Sequence, residues 1–119
     1  MMNLDKVFTK HDDAAHGWLE VSIEDLIDLN IQDKISDFSY IDSIEKLIYL
    51  EEDVDMTLFM KSYKDKYNKE LMFVIENNFE IHPIRNLPCY INCQIIDKDN
   101  HIVIKDHMNC LVYSFPKKV

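Results

Sequence analysis

His11-Asp-Asp-Ala-Ala-His-Gly-Trp-Leu-Glu-Val21, followed by Ser22-Ile-Glu-Asp-Leu-Ile-Asp-Leu-Asn30, is the stretch whose reading decides the fold. Its first residues are polar and read as a loop, whereas Gly17 to Val21 is apolar and reads as a strand. Ser22 is a good helix N-cap, with Asp25 three positions on as its capping-box partner. Ile23, Leu26, Ile27 and Asn30 fall on one helical face, while Glu24, Asp25 and Asp28 point away. Asn30 suits a left-handed stop. Gly17 is the single glycine among 119 residues, so it marks a backbone site with a positive φ or a close approach.

Working outward, residues 5–9 predict a first strand before the polar loop. After a connection over 31–37, Phe38–Ile41 and Lys46–Leu50 read as a hairpin around Asp42-Ser43. Asp53 or Asp55 can cap a helix whose apolar period runs through Met56, Phe59, Met60 and Tyr63 to about Tyr67. Lys61, Lys64 and Lys66 follow the acids along it, as the helix dipole favours. Leu71–Ile75 is a strand that could run on to Ile81, and Pro83 and Pro88 then interrupt the pattern. Cys89–Ile96 and His101–Lys105 flank the turn-rich Asp97–Asn100, and Cys110–Phe115 adds a last strand. The expected fold is α+β, a mainly antiparallel sheet with two helices and a C-terminal β-meander. Residues 1–119 read as one domain, with a core over 1–90 and the meander over 91–119.

A hydrophobic share of 47% excludes a disordered chain. No apolar run reaches the ~20 residues of a membrane span, and the first residues lack the pattern of a secretory signal. With three cysteines, one stays unpaired in any monomeric scheme, so the expectation is reduced thiols in the cytoplasm of a bacterial host cell. Net charge is −9 and is unevenly placed. Residues 1–60 hold four lysines against fifteen acids, a balance of −11, and residues 61–119 hold nine bases against seven acids, +2. Such a chain is unsuited to binding DNA or RNA directly, which requires phosphate neutralisation. It suits a basic partner, or serves solubility.

Five short motifs occur in order: His11-Asp-x3-His-Gly-Trp-Leu-Glu-Val21, Asp33-Lys-Ile-Ser36, Phe38-Ser-Tyr40, Tyr49-Leu-Glu-Glu-Asp53 and Pro83-Ile-Arg-Asn86. Over roughly residues 7–90 the chain resembles a family of small uncharacterised proteins carried by phages, plasmids and bacterial genomes. The resemblance implies a mobile-element origin and supplies no mechanism.

Three constellations could carry chemistry. His11, Asp12 and His16, with Glu51, Glu52 and Asp53, offer imidazole and carboxylate for a metal or for acid-base work. The plainer reading has them bonding one another and capping backbone groups. Cys89-x3-Cys93 with His107-x2-Cys110 could ligate structural zinc, or the thiols could be small buried hydrophobes. Arg85, the only arginine, either pairs internally with Glu51, Glu52 or Asp53, or holds a ligand anion. One glycine cannot build a phosphate loop, and no serine sits in a nucleophile elbow. No cofactor is expected.

The leading functional expectation is an acidic, non-enzymatic interaction protein from a mobile element. It would bind and inhibit a basic, nucleic-acid-binding host defence protein or ribonucleoprotein, as anti-CRISPR and antirestriction proteins do. Asp25, Asp28, Asp33, Asp37, Glu51, Glu52 and Asp53 would supply the charge, with Trp18 and Tyr40 as partner-facing aromatics. A toxin-immunity protein is the same physics with another partner. The competing expectation is a small metal-dependent hydrolase built on His11, Asp12, His16 and Arg85. Homodimerisation is left open.

Overall fold

The structure, a computed structural model, describes residues 3–42, 44–77, 83–90, 93–98, 101–106 and 111–116. The chain runs β1 (Val7–Asp12), β2 (Gly17–Ser22), α1 (Ile23–Asp28), β3 (Tyr40–Asp42), β4 (Leu47–Glu51), α2 (Asp55–Tyr67) and β5 (Met72–Asn77). A 3-10 turn over Pro83–Asn86 follows, then β6 (Cys93–Lys98), β7 (His101–Asp106) and β8 (Leu111–Pro116). The first five strands form one sheet in the order β3-β4-β2-β1-β5, and the last three form a second, β6-β7-β8. This is the α+β architecture with a mainly antiparallel sheet.

Strand alternation sorts the five-stranded sheet into two faces. Phe8, Leu19, Val21, Ile41, Ile48 and Leu50 are fully buried on one face. They share a core with Ile23 and Leu26 of α1 and with Met56, Phe59 and Tyr63 of α2. Phe8 meets Phe59 and Tyr63 edge-on, at centroid distances of 5.6 and 6.3 Å. Ile102 of β7 and Tyr90 belong to the same buried cluster. Thr9, His11, Trp18, Glu20, Tyr40, Tyr49 and Glu76 lie on the opposite face, by the registers Thr9↔Glu20, His11↔Trp18, Glu20↔Tyr49, Tyr40↔Tyr49 and His11↔Glu76.

Local signals act as expected around α1. Ser22 and Asp25 form the reciprocal capping box, and Asn30 takes a left-handed φ of 56° just past the helix. Asn68 closes α2 in the same way. In the β3–β4 turn the Asp42 carboxylate accepts the N–H groups of Ile44 and Glu45, and Lys46 completes the reversal at φ 61°.

Several expectations are corrected. β1 runs on to Asp12, so His11 and Asp12 stand in a strand and only residues 13–16 form the loop. β5 pairs with β1 in parallel, because α2 carries the chain across the sheet before it returns. Neither Asp53 nor Asp55 caps α2: Val54 occupies the cap without a side-chain bond. Glu51 serves instead, accepting from the N–H groups of Asp53 and Val54. The strand expected from Cys89 begins at Cys93, and Cys89 makes only an isolated bridge to Tyr40. The extension of β5 towards Ile81 lies outside the described residues beyond Asn77.

Candidate functional site

The expected His/Asp cluster is divided by the pleat of β1. His11 faces outward, where Nε2 lies 2.9 Å from Glu20 Oε1 and Nδ1 lies 3.2 Å from Glu76 Oε2. The Tyr49 ring meets it edge-on at 5.7 Å. Burial, then the nearby Glu20, Asp42 and Glu45 carboxylates, pushes the Tyr49 hydroxyl up to about 12. Asp12 faces the other way and meets Lys10, whose ammonium lies 2.8 Å from Asp12 Oδ1 and 3.1 Å from Glu52 Oε2. Burial pulls the Lys10 ammonium down, but the hydrogen bonds and charges of Asp12 and Glu52 outweigh it and raise its pKa. His16 is exposed and tilts towards the Trp18 ring at 6.3 Å. Among the described residues, no group of three metal-ligating side chains converges.

The Lys10–Asp12–Glu52 network explains the lone glycine. Gly17 does not have a positive φ. A Cβ there would stand 2.2 Å from Asp12 Oδ1, 2.8 Å from Lys10 Nζ and 2.9 Å from Glu52 Oε2. A larger residue here would have to displace the ends of these three charged side chains, so close approach rather than backbone conformation is what favours glycine.

Arg85 is held inside the fold, but by Asp13 rather than by Glu51, Glu52 or Asp53. Its Nε donates to Asp13 Oδ2 at 2.8 Å and its Nη2 to Oδ1 at 3.1 Å. The guanidinium carbon stands 5.1 Å from the Trp18 ring centroid, a cation–π contact. Asp13 also accepts from the N–H groups of Ala15 and His16, both at 2.9 Å, so one carboxylate shapes the loop and anchors the segment at Pro83–Asn86. Trp18 is 3% exposed and forms the floor of this junction. Tyr40 is half-buried beside it, with ring centroids 6.1 Å apart.

The acidic set separates in the same way. Asp25 is buried, closing the α1 cap and meeting Lys6 at 3.1 Å. Asp28 binds Lys66 at 3.1 Å and accepts from the Tyr67 hydroxyl, joining the ends of α1 and α2. Both carboxylates are engaged within the fold. Glu51 and Glu52 are half-buried and committed to the α2 entry and to Lys10. Asp33, Asp37 and Asp53 are exposed. Phe38 is 66% exposed beside Asp37, and Val54 is 57% exposed beside Asp53.

A contact missed in the sequence fixes this region. Asp55 is fully buried and turns towards the loop before β3. Its carboxylate accepts from Ser36 N at 3.1 Å, Ser36 Oγ at 2.6 Å and Ser39 Oγ at 2.5 Å. Ser39 Oγ in turn accepts from Glu51 N at 2.9 Å, and Ser39 O accepts from Tyr90 N at 2.8 Å. The two serines three apart flanking Phe38, with an acid at the helix entry, were the available signal. Residues 36–39 are thereby clamped onto the first residue of α2.

Cys89 is a free, half-buried thiol. The zinc reading cannot be assembled from it, since His107, Cys110 and the Cys93 side chain lie outside the described residues. No described helix is long and apolar enough to cross a membrane. Comparison with family models, with curated proteins and with solved structures yields no match.

Proposed function

We propose that this protein is an acidic, non-enzymatic interaction protein that binds and inhibits a basic, nucleic-acid-binding host defence protein or ribonucleoprotein, in the manner of anti-CRISPR and antirestriction proteins. One observation carries the reading: exposed Phe38 and Val54 are flanked by exposed Asp37 and Asp53, with Asp33 on the same connection. An apolar anchor with a charged surround is the anatomy of a protein-binding surface. The Asp55 clamp holds the backbone of this surface in place, so little ordering entropy is lost on docking.

The carboxylates steer a lysine- and arginine-rich partner, while Phe38 and Val54 provide the contact that charge alone does not specify. Against this stands the hydrolase reading, which requires His11, Asp12, His16 and Arg85 to meet. His11 and Asp12 project from opposite faces, and Arg85 is engaged by Asp13. The non-enzymatic reading is therefore favoured.

The test is association with nucleic-acid-guided or nucleic-acid-cleaving defence complexes of a bacterial host, followed across salt concentration. Binding should compete with nucleic acid and weaken steeply with salt. The triple variant Asp33→Asn, Asp37→Asn, Asp53→Asn should associate about tenfold or more slowly. Association that ignores both salt and these substitutions would sink the proposal.

A further inference from the structure

Among the described residues, the edge of the five-stranded sheet at β5 carries one charged side chain, Glu76, and no proline, lysine or further strand. β5 ends the strand order and is paired on one side, to β1. Met72-Phe-Val-Ile-Glu-Asn77 contains no proline and no lysine, both of which protect natural edges. Met72 is 43% exposed, Val74 55% and Ile75 52%, and Val7, opposite Met72 on β1, is 51% exposed. Met72, Val74 and Val7 share the outward face, while Ile75 lies on the helix-covered face. Apolar surface is thus open on both sides of the same edge.

We infer that β5 pairs with β5 of a second copy of this chain, antiparallel across a two-fold axis, joining two five-stranded sheets into one. Self-complementarity of the strand is the first reason for choosing this occupant. With the axis perpendicular to the sheet at Val74, Val74 faces its own copy, Phe73 faces Ile75, and Met72 faces Glu76. Each face of one sheet continues into the same face of the other, and no two carboxylates are opposed. Charge is the second reason. Asp37 and Asp53, next to β3 and β4, lie towards the far edge of the sheet, since β3 and β5 are its two ends. The single charge on β5, Glu76, already faces the His11 imidazole at 3.2 Å. Two copies of net charge −9 can meet along β5 with Asp33, Asp37 and Asp53 kept apart, while Glu76 and Glu70 near the seam are paired with His11 and Lys64. A basic strand would gain little there.

The joined sheet would carry an acidic docking surface at each distant end. A partner with two matching sites would then be held by avidity rather than by one contact. Pairing at β5 does not depend on what those surfaces bind.

Sedimentation across a concentration series tests the pairing. The wild-type chain should dimerise, and Val74→Lys should weaken the dimer by about a hundredfold or more, because the two-fold presents the change twice. Circular dichroism of the variant should match that of the wild type, and so should its melting temperature at a dilution where both chains are monomeric, since the side chain is exposed. A second variant needs no loss of affinity. Val74→Cys should form a disulfide-linked dimer under mild oxidation, where opposed residues are within reach, and the wild type with its native cysteines should not. A wild type that remains monomeric, or a dimer indifferent to Val74→Lys, or a Val74→Cys chain that fails to cross-link, overturns the inference. Capture of a foreign strand by a monomeric chain also overturns it.

Discussion

The carboxylates that face inward and those that face outward, drawn from the same acidic half, have opposite roles. Asp13, Asp25 and Asp55 each collect donors from distant parts of the chain: Arg85, Lys6, and Ser36 with Ser39. Asp33, Asp37 and Asp53 are exposed. A balance of −11 over residues 1–60 therefore overstates the binding surface, because much of that charge ties loops to helices and strands. Asp33, Asp37 and Asp53 share their exposure with Asp5 and Glu45.

Substituting Asp55 should break this comparison most visibly. Asp55→Ala strands two serine hydroxyls and a backbone N–H in a buried site, at a cost of about 3–5 kcal/mol. Urea unfolding should show the midpoint falling, with Asp55→Asn between the two because an amide oxygen still accepts. A wild-type midpoint for Asp55→Ala would mean that the clamp contributes nothing.

Asp13 should come next. Asp13→Ala removes the caps on Ala15 and His16, about 1 kcal/mol each, and releases Arg85. Arg85→Ala should destabilise less, since the loop keeps its backbone bonds. The double variant should fall well short of the sum of the singles. Additive losses would show that the guanidinium and the carboxylate do not depend on each other.

Gly17→Ala should cost no more than about 1 kcal/mol, because the new Cβ displaces only the ends of the Lys10, Asp12 and Glu52 side chains. Combining it with Asp12→Ala should recover part of that loss, because the atom nearest the new Cβ is then gone. A loss that persists unchanged would trace the requirement to backbone conformation instead.

How much of this was legible depended on sequence distance. The α1 cap, the Asn30 stop and the strand alternation are local, and they were readable because Ser22, Asp25 and Asn30 act within a few residues of themselves. Arg85 finds its partner 72 positions away, and nothing in Pro83–Asn86 distinguishes Asp13 from Glu51. The parallel pairing of β5 with β1 was equally hidden. The His11/Asp12 separation turned on where β1 ends: three more residues of strand sent neighbouring side chains to opposite faces. Asp55 resembled a helix cap until the position of Ser36 and Ser39 showed another use for it.

The outward face of the sheet gives a weaker, pH-dependent effect. Tyr49 is held neutral up to about 12, above the ~10 of an unfolded tyrosine. A raised acid pKa leaves the fold's stability full below about pH 10 and erodes it as pH rises through about 12, since the unfolded chain loses its proton first. Phenolate absorbance should show Tyr49 titrating late alongside Tyr63, whose hydroxyl is also pushed up by burial, and Tyr49→Phe should remove one late phenol and reduce the slope of stability over that window. An unchanged number of late-titrating phenols in Tyr49→Phe would assign the effect elsewhere.

The smallest effect on stability, and the most informative for binding, is expected at Phe38. A side chain 66% exposed has little apolar area to lose on unfolding, so Phe38→Ser should change stability by no more than about 0.5 kcal/mol. In binding it should act differently from its acidic neighbours. Long-range charge governs how fast partners meet, whereas a short-range apolar contact governs how long they stay. Phe38→Ser should therefore raise the dissociation rate while leaving the association rate and its salt dependence near wild type. The Asp33, Asp37 and Asp53 substitutions should do the reverse. If both sets changed only the association rate, Phe38 would not be an anchor and specificity would have to come from another part of the surface. If Phe38→Ser instead lowered the unfolding midpoint as far as Asp13→Ala does, the ring would belong to the inward set, and the division between carboxylates that build the fold and a surface that meets a partner would have to be drawn elsewhere.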